Sequence, residues 1–148
     1  MFRGVAQLNL DSKGRLAVPS RFRDALAARC SGHLVVTADS DRCLLVYPLP
    51  DWEPIEQKLM ALSSFNAQIR ELQRRLVGYA EDVVMDATGR ILVPPALRRY
   101  AQLDKAVTLI GQGNKFELWN KDNWEQRMDQ GGSFGPGGLP PELEGFSL

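Results

Sequence analysis

The stretches LDSKGRLAVP (residues 10–19) and MDATGRILVP (residues 85–94) carry one pattern twice: Asp, two polar or small residues, Gly-Arg, a short apolar run, then Pro. Set side by side at an offset of 75, residues 8–26 and 83–101 share Asp11/Asp86, Gly14/Gly89, Arg15/Arg90, Val18/Val93, Pro19/Pro94 and Arg23/Arg98. The likeness runs further: LLVYPLPDW (44–52) matches FELWNKDNW (116–124), each with an aromatic residue followed five positions later by Trp. Ordered matches at nearly constant spacing identify an internal duplication of a unit of about 50 residues.

Each unit reads as a strand, a tight turn, a second strand, a short helix, two more strands and a closing helix. Ala6, Leu8 and Leu10 alternate with Gln7 and Asn9, the period of two of a strand with one buried face. In the turns, Asp11 and Asp86 are suited to accept hydrogen bonds from amides two or three residues on, and Gly14 and Gly89 supply the positive φ of a tight bend. Pro19 ends the second strand, and Ser20 is placed to cap a helix that turns Phe22, Ala25 and Leu26 inward and Arg21, Arg23 and Asp24 outward. LVVTA (34–38) and CLLVY (43–47) flank DSDR as a predicted hairpin, with Asp51 capping the next helix and Pro54 in its first turn. In the second unit VTLIG (107–111) and KFELW (115–119) flank QGN, and Asp122 or Asn123 is placed to cap a helix at Trp124. Between the units Phe65, Ile69, Leu72 and Leu76 recur at i, i+4, i+7 and i+11, which predicts a packed linker helix stopped by Gly78. The predicted organisation is a first repeat at 1–57, a helical linker at 58–78, a second repeat at 79–130 and a flexible Gly/Pro-rich tail at 131–148.

A chain of 148 residues with 44% apolar content has enough material for a globular core. Its formal net charge is zero, so any pull toward a charged partner must be local. Residues 1–29 hold Arg3, Lys13, Arg15, Arg21, Arg23 and Arg29 against Asp11 and Asp24, whereas 39–57 and the tail are mostly acidic. Cys30 and Cys43, with His33 as the one histidine, are too few for a structural zinc site and read as reduced thiols. The same lone histidine excludes a Ser-His-Asp or Cys-His set, GQG (111–113) lacks the rest of a nucleotide fingerprint, and no carboxylate cluster stands out, so no enzyme and no cofactor are expected. Without a signal-like start or a long apolar run, the expected compartment is the cytoplasm, with no membrane partner.

A 50-residue unit of short strands buries too little to offset the roughly 1 to 2 kcal/mol of backbone entropy lost per ordered residue, whereas two units can pool one core. Interleaving their first hairpins into one sheet would make a pseudo-twofold barrel with both Gly-Arg turns on one face. With these features, from the MFRG opening through both DxxGR turns, the VP helix starts and the two aromatic-Trp hairpins, residues 1 to about 130 resemble the MraZ family. That resemblance implies an α+β fold of tandem AbrB-like swapped-hairpin units, with short helices, that assembles into a ring-shaped homo-oligomer. It further implies a nucleoid-associated transcriptional regulator that binds short direct repeats in double-stranded DNA upstream of the division and cell-wall gene cluster. The family's DNA-contacting turn arginine falls on Arg15 and, in the second copy, on Arg90; Arg3 and Lys13 join them by position and charge. An arginine here can also serve only to rigidify its hairpin by pairing with Asp11 or Asp86. Arg98 and Arg99 read as a solvated helix face, and Tyr47, Trp52, Trp119 and Trp124 as core or subunit-contact aromatics. The competing reading is a non-catalytic oligomeric protein-interaction scaffold.

Overall fold

The protein is described here from a computed structural model that covers residues 1–131, 138 and 140–147. The first repeat supplies β1 (Phe2–Asn9), β2 (Arg15–Ala17), α1 (Ser20–Cys30), β3 (His33–Ala38), β4 (Leu44–Pro48) and α2 (Leu49–Met60). After α3 (Ala67–Leu76), the second supplies β5 (Glu81–Val84), β6 (Arg90–Leu92), α4 (Pro95–Tyr100), β7 (Ala106–Gly113), β8 (Lys115–Asn120) and α5 (Lys121–Gln130). Most of the tail whose flexibility the composition predicts lies outside the described residues.

The two repeats exchange strands. The larger sheet has the order β1-β7-β8-β4-β3-β5, so the first strand of each repeat pairs with the third strand of the other. Swapping β1 with β5, β3 with β7 and β4 with β8 turns this order into its own reverse, which places a pseudo-twofold axis between β8 and β4. The register agrees: Leu44↔Leu118 and Val46↔Phe116 flank a central Leu45↔Glu117 pair, at the offset of 72 seen in the sequence. One expectation is corrected. The hairpins do not enter one sheet whole, because β2 and β6 leave it and pair only with each other in an antiparallel ribbon. Leu10 N to Lys105 O extends the β1–β7 ladder to the bend, Val18 N to Gly89 O extends the ribbon past it, and a single bridge, Leu10↔Leu16, joins the bend.

Burial explains why the middle strands are apolar runs without alternation: both faces of the sheet are covered. On one side Leu16, Val18, Phe22, Leu26, Val36 and Leu44 from the first repeat mingle with Ile91, Val93, Leu97, Leu109, Phe116 and Leu118 from the second. Phe116 stacks on Phe2 (centroids 4.4 Å apart) and meets Phe22 edge-on at 4.9 Å, so one ring of the second repeat anchors the first. On the other side Tyr47 and Trp52 pack with Val35 and Leu45, and Trp119 packs with Ile110, Cys43 and the half-buried Trp124. Cys30 and Cys43 are both free thiols.

Several local readings change. Pro19, with φ −53° and ψ 140°, takes the cap position, so Ser20 is the first helical residue and caps nothing. Ala25 is exposed, while Arg23 is half-buried. Helix α2 starts at Leu49 because Pro48 and Pro50 preset helical φ and need no amide partner there. Pro54 therefore lies past the first turn, and Asp51 accepts from Arg29 Nη2 (3.1 Å) instead of capping. Asn120, not Asp122 or Asn123, caps α5, since the helix leaves β8 directly. Asn66 caps α3, which starts after Phe65 and leaves Phe65 94% exposed and Leu72 exposed. The residue buried on α3 is Gln73, whose Nε2 donates to Leu59 O and Leu62 O and so ties α3 to the end of α2.

Because both repeats share one core, Phe116→Ala is expected to lower stability by about 3 to 5 kcal/mol in a single cooperative urea transition. Two resolved transitions, with the first repeat unaffected, would contradict a shared core.

Candidate nucleic-acid interface

The β2–β6 ribbon pairs Arg15↔Leu92, Leu16↔Ile91 and Ala17↔Arg90. Alternation sends Leu16 (fully buried) and Ile91 inward, which leaves Arg15, Ala17, Arg90 and Leu92 on the outer face. Arg15 and Arg90 are thus a diagonal pair on one side of a ladder, a relation that sets the two residues about 7 to 8 Å apart, with their Cβ atoms somewhat closer. Two residues 75 apart in sequence become neighbours through this register alone.

Each residue of the Asp-x-x-Gly-Arg pattern has a task. Asp11 Oδ1 accepts from Lys13 N (2.9 Å) and Arg15 N (2.8 Å), and its Oδ2 accepts from Arg15 Nε at 2.7 Å. Asp86 does the same with Thr88 N (3.0 Å), Arg90 N (2.9 Å) and Arg90 Nε (3.0 Å), adding the Thr88 hydroxyl at 2.9 Å. Gly14 (φ +85°) and Gly89 (φ +80°) take the left-handed bend that closes each turn. The arginines do pair with their own turn carboxylates, but through Nε. Among the described residues, no hydrogen bond engages the Nη groups of either, and both side chains are about a third exposed. The rigidifying pair leaves the terminal edge of each guanidinium available to a ligand.

Lys13 sits exposed at the tip of the first turn, next to Arg15. Arg3 is elsewhere: it pairs with Gln112 at the opposite end of β1, seven residues from Leu10 or about 23 Å at the usual strand rise. The structure therefore brings Arg15, Arg90 and Lys13 together and leaves Arg3 apart.

Two further cations belong to the ribbon's surroundings. Arg98 is not part of a solvated helix face: its Nε donates to Val93 O at 2.9 Å, and its guanidinium lies against Gly14. Arg23 does the same in the other direction, donating to Val18 O at 2.6 Å and lying against Gly89. Arg99 stays exposed. The signal for Arg23 and Arg98 was present in the duplication, where they are an identical pair, but helical periodicity alone assigns them to solvent. Beside the turns are two matching clefts. The first, about 510 Å³, is lined by Asp11, Arg98, Asp104 and Lys105; the second, about 550 Å³, by Arg23, Asp24 and Asp86. With Lys13 and Arg15 the first side carries four cations against two acids; with Arg90 the second carries two against two.

Among the described residues no group of three or more His, Cys, Asp or Glu could hold a metal ion, and no helix is long and apolar enough to cross a membrane. The amides of Arg15 and Arg90, followed by the other turn hydrogen bonds, lower the Asp11 and Asp86 carboxyls from the ordinary 3.8 to about 2. A carboxylate held low in the folded chain adds stability above its ordinary value and loses it as pH falls toward 2. Both carboxylates are therefore expected to titrate near 2 by NMR. Urea stability should fall between about pH 4 and pH 2, and Asp11→Asn should remove the first turn's share of that fall.

Compared with known proteins, the chain matches a family model described as "MraZ protein, putative antitoxin-like" twice, over residues 1–75 and 76–134. It is 60% identical to the transcriptional regulator MraZ of Thiobacillus denitrificans and 61% identical to that of Nitrosospira multiformis, each over 148 residues and the full length of both chains. The protein of the same name from Pseudomonas aeruginosa is 53% identical over 151 residues, again covering both chains in full. Matched twice by that model and end to end by these relatives, the chain belongs to the MraZ family.

Proposed function

We propose that this chain binds duplex DNA through the outer face of the β2–β6 ribbon, with Arg15 and Arg90 as paired contacts and Lys13 on phosphate. As a member of the MraZ family it is a transcriptional regulator and not an enzyme. The observation that supports the ribbon reading is that both turn arginines share one exposed face while Leu16 and Ile91, paired with each other between them, fill the core. A two-stranded ribbon fits the major groove, where a guanidinium can grip guanine O6 and N7 or a phosphate through two hydrogen bonds. Arg3 is left out of this contact set.

A single chain offers few contacts, so a ring of copies would raise avidity on tandem sites without a high charge on each. Exposed Met60, Leu62 and Phe65 around the α2–α3 connection favour such self-association. On this reading the targets are short direct repeats upstream of the division and cell-wall genes. The protein then works on the cytoplasmic nucleoid, as the family resemblance implies, and the repeats close their shared core in the barrel-like manner of AbrB-type units.

Fluorescence anisotropy with duplex DNA from the chain's own upstream region tests this. Arg15→Ala is expected to weaken binding about ten-fold or more and to reduce the salt slope by about one, with thermal melting unchanged. Arg90→Ala should cost less, since its side of the ribbon carries fewer cations. Native affinity in a folded Arg15→Ala protein would overturn the reading; oligomers with no salt-sensitive DNA binding would favour a scaffold.

A further inference from the structure

We infer that Arg23 and Arg98 are positioning residues for DNA binding, each holding the arginine turn of the opposite repeat. The inference rests on the ribbon reading above. Arg98 belongs to the second repeat, yet its guanidinium occupies the space beside Gly14 in the first, where an added Cβ would lie 2.5 Å from Cζ and Nη1. Arg23 belongs to the first repeat and fills the matching space at Gly89, where a Cβ would lie 2.4 Å from Nε. A Cβ at either position would displace the guanidinium, so glycine serves both for its φ and to leave room for this contact.

Backbone bonds run along the same crossed routes. Val93 N donates to Gly14 O at 3.0 Å and Val18 N donates to Gly89 O at 2.9 Å. Each valine's own carbonyl in turn accepts from the arginine five residues on. Each turn glycine is thus pinned twice by the other repeat, its carbonyl by an amide and its open face by a guanidinium. The residue after each glycine is Arg15 or Arg90, so a shift of the glycine re-aims the contact itself. The wiring is crossed: Arg98 serves Arg15, and Arg23 serves Arg90. The flat fork of arginine suits the task, because it can lie against a glycine while Nε stays on a carbonyl; lysine keeps the charge but has neither feature.

A crossed double-mutant cycle on the full chain, read with the same upstream duplex, tests the assignment. Arg98→Lys is expected to weaken binding about five-fold in the native background and less than about two-fold once Arg15 is Ala. Arg23→Lys should weaken binding by the same factor in both backgrounds. In the free protein the Nε–Hε NMR signal of Arg15 should move in Arg98→Lys and hold still in Arg23→Lys, a readout that requires no DNA. Equal losses for Arg98→Lys in both backgrounds, or an Arg15 signal indifferent to it, would overturn the positioning role. An Arg15→Ala protein with native affinity would instead remove the ribbon reading, while the NMR comparison would still report on the clamp.

Discussion

The antiparallel pairing of Arg15–Ala17 with Arg90–Leu92 is the constraint on which the rest of the molecule depends. Three-residue strands are too short to persist alone. They persist here because Leu16 and Ile91 are buried between the repeats, and because each strand continues into a reciprocal bond, Val18 N to Gly89 O and Val93 N to Gly14 O. The same crossing governs the larger sheet, where β1 completes the second repeat and β5 completes the first. Neither repeat holds a full set of sheet neighbours, so the duplication is a structural requirement as well as the source of two matching turns.

Electrostatics follow from that arrangement. A chain with no formal net charge concentrates arginine where the repeats cross, and the turn carboxylates keep two of those arginines aimed without capping their outer edges. Exposed ion pairs of this sort are weak and screened, so a phosphate or base edge can compete for the guanidinium at small cost. The halves are not equivalent: Lys13 and Lys105 enrich the first side, while Asp24 offsets Arg23 on the second. The ribbon thus has a pseudo-twofold backbone but unequal charges on its two sides.

Much of the fold was legible because its signals are local. The period-two pattern of β1, the Asp-x-x-Gly-Arg turns, the prolines after β2 and β6 and the aromatic-Trp hairpins each depend on neighbours a few residues away. Helix starts were less legible, because Pro19, Pro48 and Asn120 compete with Ser20, Asp51 and Asp122 as caps, and the choice depends on where the preceding strand lets go. The linker shows the limit of periodicity. Its spacing suggested buried Phe65 and Leu72, yet α2 and the sheet cover the Gln73 side, where an amide finds two carbonyls at a helix end. Arg23 and Arg98 were read as solvated because nothing on their own helices shows the turn of the other repeat arriving beside them.

The sequence by itself determined the duplication, the chemistry of each turn and the equivalence of Arg15 with Arg90, since a repeated pattern is visible without any fold. Tertiary structure alone decided that these arginines share a face, that Arg3 stands about 23 Å away from the turn at the usual strand rise, and that each turn is braced by the repeat to which it does not belong. Strand exchange is the physical reason. It joins residues distant in sequence, Phe2 with Gly113 and His33 with Val84 among them, and which strand a given edge will accept is set by the burial and hydrogen bonding of the whole sheet rather than by any segment of it.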